Sequence, residues 1–131
     1  LEIFINKRTA LAMRYNEALS EWSELALQKA PNYSYRNSWY LYAPLINKEY
    51  AKMTRDEFMI KMKELDIGTG YHYQAVHLFR YYKDKYGFKR GDFPNSERIS
   101  DGIVSLPLFP AMTFADQDKV IKAMKQIFHR K

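Results

Sequence analysis

Residues 54–87 read TRDEFMIKMKELDIGTGYHYQAVHLFRYYKDKYG, and the order of signals in this stretch decides the fold. Thr54-Arg55-Asp56-Glu57 is a capping box: the Thr54 hydroxyl accepts from the Glu57 amide while the Glu57 carboxylate reaches back to the amide of Thr54. Behind it Phe58, Met59, Met62 and Leu65 fall on one stripe of a helix, and Gly68 follows as a stop. The chain then enters an aromatic segment holding Tyr71, Tyr73, Phe79, Tyr81, Tyr82 and Tyr86, with Phe88 just beyond, and with His72 and His77 among them. Side chains of this size at this density bury well, so most are expected in a core.

Upstream, Phe4, Leu11, Tyr15, Leu19 and Trp22 recur at helical spacing, which predicts an amphipathic helix from about Leu1 to Leu19. Pro31 to Asn37 reads as loop. The run from Trp39 to Ile46 is rich in β-formers and has strand length despite Pro44, which predicts a strand near an edge. Downstream, Pro94 after Asp92 opens a helix carrying Ile99 and Ile103, and Val104–Leu108 reads as a short strand between helices. Thr113 caps a last helix, with Asp116 against its positive end and Val120, Ile121, Met124, Ile127 and Phe128 facing inward. Three or so short strands among four or five helices predict an α+β domain, a short antiparallel sheet covered by helices. No repeat or Gly/Ser linker divides the chain, so residues 1–131 read as a single domain.

Composition narrows the function. With 47% hydrophobic residues and only five Gly and five Pro, the chain is a folded protein. No cysteine is present, which removes disulfides, thiolate catalysis and Cys-ligated zinc. It also fits a cytoplasmic protein. No apolar run reaches the ~20 residues of a membrane helix. The net charge of +6 is spread from Lys7 to Lys131 with acids interleaved, and such scattered charge is mostly solvated surface.

Among motifs that carry chemistry, no G-x-S-x-G elbow, Walker loop or dinucleotide fingerprint is found. Gly68-Thr69-Gly70 lacks the third glycine and the helix that would follow. Ser105 is better explained as a strand end than as a catalytic serine. Asp56 and Glu57 belong to a helix first turn, a structural position. His72 and His77, five apart, have no carboxylate at metalloprotease spacing, and no metal is expected. Two readings of the histidines remain: core side chains, or donors to phosphate or sugar oxygens from a loop in which glycines allow close approach.

Residues 54–87 together with GDFPNSERISDGIVSLPLFPAMTFADQDKVIKAM at 91–124 resemble the small C-terminal domain of the DegT/DnrJ/StrS sugar aminotransferases. That domain has an R-D-x start to a helix, a G-I-x-T/G turn, an H-Y/F pair, a second His, paired tyrosines, a D-x-P helix start, S-L-P-L-[YF]-P and a Thr-capped last helix. Residues 1–20 resemble the helix leading in from the family's large domain, leaving 21–131 as the small domain. Within the family, GTGYHYQAVH and SLPLFPAMT are most similar to enzymes that make UDP-4-amino-4-deoxy-L-arabinose from a UDP-4-keto sugar, although those usually carry His-Phe where this chain has His72-Tyr73.

The resemblance implies a fold-type-I enzyme using pyridoxal phosphate, glutamate or glutamine as amino donor, a nucleotide-linked (UDP-linked) keto sugar as acceptor, and a homodimer. Nucleic acid and membrane are not implied partners. The family's cofactor lysine lies in an S-x-x-x-x-K-type stretch absent here, so no catalytic and no cofactor-binding residue is assigned, and the chain by itself is expected to be inactive. The resemblance does carry over His72, Tyr73 and His77, at positions that line the substrate side of the family's cleft. The competing class is a basic α+β nucleic-acid-binding module, motivated by charge interleaved with aromatics; a sensing or dimerisation domain is a third.

Overall fold

The computed structural model describes residues 1–130. Its elements run α1 (Glu2–Leu19), β1 (Leu25–Ala26), β2 (Leu45–Ile46), α2 (Lys48–Ala51), α3 (Arg55–Glu64), a 3-10 turn (Val76–Leu78), α4 (Arg80–Tyr86), α5 (Pro94–Gly102) and α6 (Phe114–Ile127). The expected capping box of Thr54 with Glu57 opens α3, and the expected Thr113 cap of α6 is a second box, closed by Asp116. The short α2 and α4, and strand β1, carried no periodic signal.

The sheet is smaller and more irregular than the sequence predicts. β1 and β2 pair antiparallel, Leu25 opposite Ile46 and Ala26 opposite Leu45. On its other side the β2 segment meets residues 103–106 through isolated bridges, Leu45 opposite Ile103 and Tyr42 opposite Leu106. Both bridges share one antiparallel register, and Pro44, which has no N–H to give, lies between them. The pairing nevertheless continues through Val104 N–H to Pro44 O at 3.0 Å and Leu106 N–H to Tyr42 O at 2.9 Å. The expected strand over 39–46 is therefore cut to its last residues, and Trp39, with φ 47°, has left-handed backbone that no strand residue adopts. Ser105 in turn brackets Gly70 on the far side.

The core lies between α1, α3 and α6, with the sheet against it. Tyr15, Leu19, Phe58, Met62 and Met124 are fully buried. Phe58 stacks on Phe128 at 5.3 Å, and Tyr15 on Tyr42 at 4.8 Å. Buried polar atoms here are satisfied, as burial requires: Tyr15 OH donates to Pro107 O (3.0 Å), Tyr42 OH to Asn16 Oδ1 (2.8 Å) and Gln117 Nε2 to Leu11 O (2.7 Å). Burial, with Tyr42 beside it, pushes the Tyr15 hydroxyl well above the usual tyrosine range.

Burial departs from simple apolar patterning in three places. Phe4 is exposed; the buried residues of α1 begin at Leu11. Ile99 is exposed and Ile103 lies beyond the helix end; the buried residues of α5 are Glu97, Ser100 and Gly102. Gly102 is where α5 crosses β2 most closely, since a Cβ there would stand 3.2 Å from Ile46 O. The aromatic segment is mostly surface: Tyr71, Tyr73, Phe79, Tyr81 and Tyr86 are all exposed. The reason is that α4 buries no residue and packs chiefly against the 3-10 turn before it.

Candidate functional site

The segment Gly70–Leu78 has almost no regular structure of its own, so its position depends on what holds it. Gly70 is tied to the sheet, donating to Ser105 O at 3.2 Å and accepting from Ser105 N–H at 2.7 Å. Two residues on, His72 Nδ1 lies 2.9 Å from Ser105 Oγ. Ala75 N–H donates to Ser100 Oγ at 2.9 Å, and His77 Nε2 meets Glu97 Oε1 at 2.9 Å. Arg55 reinforces the start of the loop from the opposite side. Its guanidinium lies 4.1 Å from the Tyr71 ring centroid, while Nη1 donates to the carbonyls of Ser100 (3.0 Å) and Ile103 (3.3 Å) at the end of α5. A planar guanidinium suits both tasks at once.

The loop thus sorts the three residues singled out by sequence. His72 is half-buried, with its Nδ1 edge on Ser105. Tyr73, joined to it by a cis peptide bond, is 72% exposed and sets its ring edge-on to His72 with centroids 4.8 Å apart. His77 points the other way: it is 7% exposed, wedged between Glu97 and the Phe93 ring 4.8 Å away. His72 and Tyr73 form one presenting pair, and His77 anchors the loop behind them.

Four residues of this arrangement escaped the sequence reading: Arg55, Glu97, Ser100 and Ser105. The available signal was in α5, where a helix of SERISDG composition has too few apolar residues for an apolar buried face. A polar buried face was the remaining option.

A cleft of about 610 Å³ opens beside the loop's supports and not beside the loop itself. Lys48, Arg55 and Arg98 line it together with Glu49, Asp56 and Asp101. These charges balance, and Arg55 is further occupied by an ion pair with Asp56, so the cleft has no excess field for an anion. Among the described residues no three His, Asp or Glu side chains gather as metal ligands, and no helix is long and apolar enough to cross a membrane.

A family model for the DegT/DnrJ/EryC1/StrS aminotransferases matches residues 1–125. The chain belongs to this family. Over 129 residues it is 34% identical to the UDP-4-amino-4-deoxy-L-arabinose–oxoglutarate aminotransferase of Shewanella sediminis, covering 95% of this chain and 33% of that protein. In fold it superposes on a DegT/DnrJ/EryC1/StrS aminotransferase from Brucella abortus with TM-score 0.78 at 28% identity, covering 97% of this chain and 32% of that one. It also superposes on DesV of S. venezuelae, solved with a ketimine intermediate, with TM-score 0.82 at 25% identity, covering 98% and 33%. The chain spans about a third of the length of the relatives it matches.

The described residues of this family member do not themselves build a pyridoxal phosphate site. A Schiff-base lysine works from a desolvated or cation-flanked setting, whereas every described lysine is exposed. The amino ends of α3, α5 and α6, where a phosphate is readily bound, are already filled by the carboxylates of Glu57, Glu97 and Asp116.

Proposed function

We propose that this chain is the substrate-facing part of a pyridoxal-phosphate-dependent aminotransferase that moves an amino group from glutamate or glutamine to a nucleotide-linked keto sugar. The UDP-linked 4-keto sugar is the favoured acceptor, given the identity to the Shewanella enzyme. In this reading the product serves amino-sugar, cell-surface polysaccharide or lipopolysaccharide synthesis in the cytoplasm, and the parent works as a homodimer. Pyridoxal phosphate, held outside these residues, supplies the electron sink for transamination. What this chain does is bind and orient.

The observation that supports it is the pairing of an immobilised imidazole with an exposed phenol on a loop tied down at four points. With Nδ1 engaged by Ser105, the His72 ring has a fixed orientation and its Nε2 edge is left for a ligand oxygen. Tyr73 adds a hydroxyl and an apolar ring face suited to a sugar or a diphosphate. His77 serves the same loop from inside, through Glu97.

The test is to follow the two half-reactions of the full-length parent separately by stopped flow. His72→Ala should slow the keto-sugar half-reaction about ten- to a hundred-fold, the loss of one or two hydrogen bonds to a partly charged ligand. The half-reaction with glutamate should change much less. Equal losses in both would retire the assignment.

A further inference from the structure

α5 is built with its polar side inward. Glu97 and Ser100, three residues apart and so on one face, are 5% and 6% exposed, while Ile99 is 43% exposed. Burying a carboxylate is unfavourable unless hydrogen bonds meet its oxygens, and an apolar residue of like volume would hold a helix to a core at least as well. An acid is needed only where the facing groups are donors.

At Glu97 they all are. Oε1 accepts from Gly91 N–H (2.8 Å) and Phe93 N–H (3.3 Å) as well as from His77 Nε2 (2.9 Å), and Oε2 accepts from Gly91 N–H at 3.0 Å. Arg90, itself paired with Asp101, stands 3.8 Å from Oε2. A carboxylate has no hydrogen to give, so His77 Nε2 is the protonated nitrogen. The turn that delivers the two amides depends on Gly91, whose φ of 101° a side chain rarely tolerates. One carboxylate therefore joins the turn before α5 to the loop that carries His72 and Tyr73.

We propose that Glu97 is a positioning residue for that loop: acting through His77, it sets where His72 and Tyr73 stand without touching substrate itself. This rests on the reading of the loop as substrate-facing.

The experiment uses full-length parent enzyme carrying Glu97→Gln, His77→Ala or both, with exposed Ile99→Ala as control. In Glu97→Gln the position that faces His77 Nε2, Gly91 N–H and Phe93 N–H holds either a neutral, weaker acceptor or an amide donor that opposes all three, so the hold on His77 is weakened in both orientations. It should slow the keto-sugar half-reaction about tenfold and the glutamate half-reaction less than about twofold. The double variant should be no slower than His77→Ala, because both changes break one link. Hydrogen exchange in peptides covering residues 70–78 should speed up in Glu97→Gln, with those of α3 and α6 unchanged. Additive losses in the double variant, or equal slowing of both half-reactions in step with the melting temperature, would overturn the proposal. If the wild-type parent aminates no nucleotide keto sugar, the proposed function falls. The exchange arm then decides the role of Glu97 alone, and unchanged exchange at 70–78 would refute it.

Discussion

His72 Nδ1 and Ser105 Oγ stand 2.9 Å apart, on segments that are also joined through the backbone at Gly70 and Ser105. The backbone bridge does not need the hydroxyl, so Ser105→Ala removes the hold on the imidazole and leaves the sheet pairing in place. Ser105 is buried, and losing its bond should lower stability by about 1 kcal/mol. The freed ring should slow the keto-sugar half-reaction of the parent about three- to tenfold. Melting curves beside stopped-flow traces check this; a loss of stability with an unchanged keto-sugar rate would show that Ser105 serves only the fold.

The cap of α3 can be tested in the same way. Thr54 Oγ1 accepts from Glu57 N–H at 3.2 Å, and Thr54 N–H donates to Glu57 Oε2 at 2.7 Å. Thr54→Ala should cost about 1 kcal/mol, read as a shift in denaturation midpoint. Since the same helix start carries Arg55 beneath Tyr71, activity should follow stability and no further. An unchanged midpoint would mean that the box adds nothing measurable.

In the core, Phe58 is fully buried and stacked on Phe128 at 5.3 Å. Phe58→Ala should cost about 3–5 kcal/mol, since neighbours collapse only partly into the space. Calorimetry or urea titration of the parent measures it; a loss under about 1 kcal/mol would place the stabilising contacts of α3 elsewhere.

Acid stability has a definite sign. Burial raises the Glu97 pKa, but the Gly91 amide, His77 and the Phe93 amide outweigh it and hold the carboxyl below its usual 4.5. A group depressed in the folded state contributes stability that is present above the unfolded value and is lost as pH falls through the folded one. Stability should therefore fall on acidification below about pH 4.5, and Glu97→Gln should flatten that limb while lowering the plateau at neutral pH. Denaturant midpoints taken across pH 3 to 7 would show it, and parallel profiles for the two proteins would contradict it.

The capping box at Thr54, the Thr113 cap, the stripe Phe58–Met62 and the inward face of α6 were legible because local chemistry and burial agree there. The strand over 39–46 was not, because Trp39 takes a left-handed backbone that propensity does not foresee. The aromatic segment misled for a related reason. Size and apolarity predict burial only where a neighbouring element exists to cover the ring, and among the described residues α4 buries none of its side chains. At the candidate site the sequence pointed to the ligand-like residues His72, Tyr73 and His77. Their holders Glu97, Ser100 and Ser105 come from 20 to 33 positions further along the chain, and no short-range pattern records such a pairing.

Tyr73 and His77 sit on one loop with opposite exposures, and this makes them a paired test of what the loop is for. Tyr73 is 72% exposed, and among the described residues its ring contact is with His72. Tyr73→Ala should leave stability within about 0.5 kcal/mol of wild type, as surface changes usually do. Lost packing and hydrogen bonding to the sugar nucleotide should slow the keto-sugar half-reaction about ten-fold, and Tyr73→Phe should recover the packing share of that loss. His77→Ala removes a buried donor and leaves the Glu97 carboxylate short of a partner, so it should lower the melting temperature as well as the keto-sugar rate. Two variants five residues apart would then separate recognition from support. If Tyr73→Ala destabilises the protein and slows both half-reactions alike, the exposed phenol is covered by protein in the parent and has no part in holding substrate.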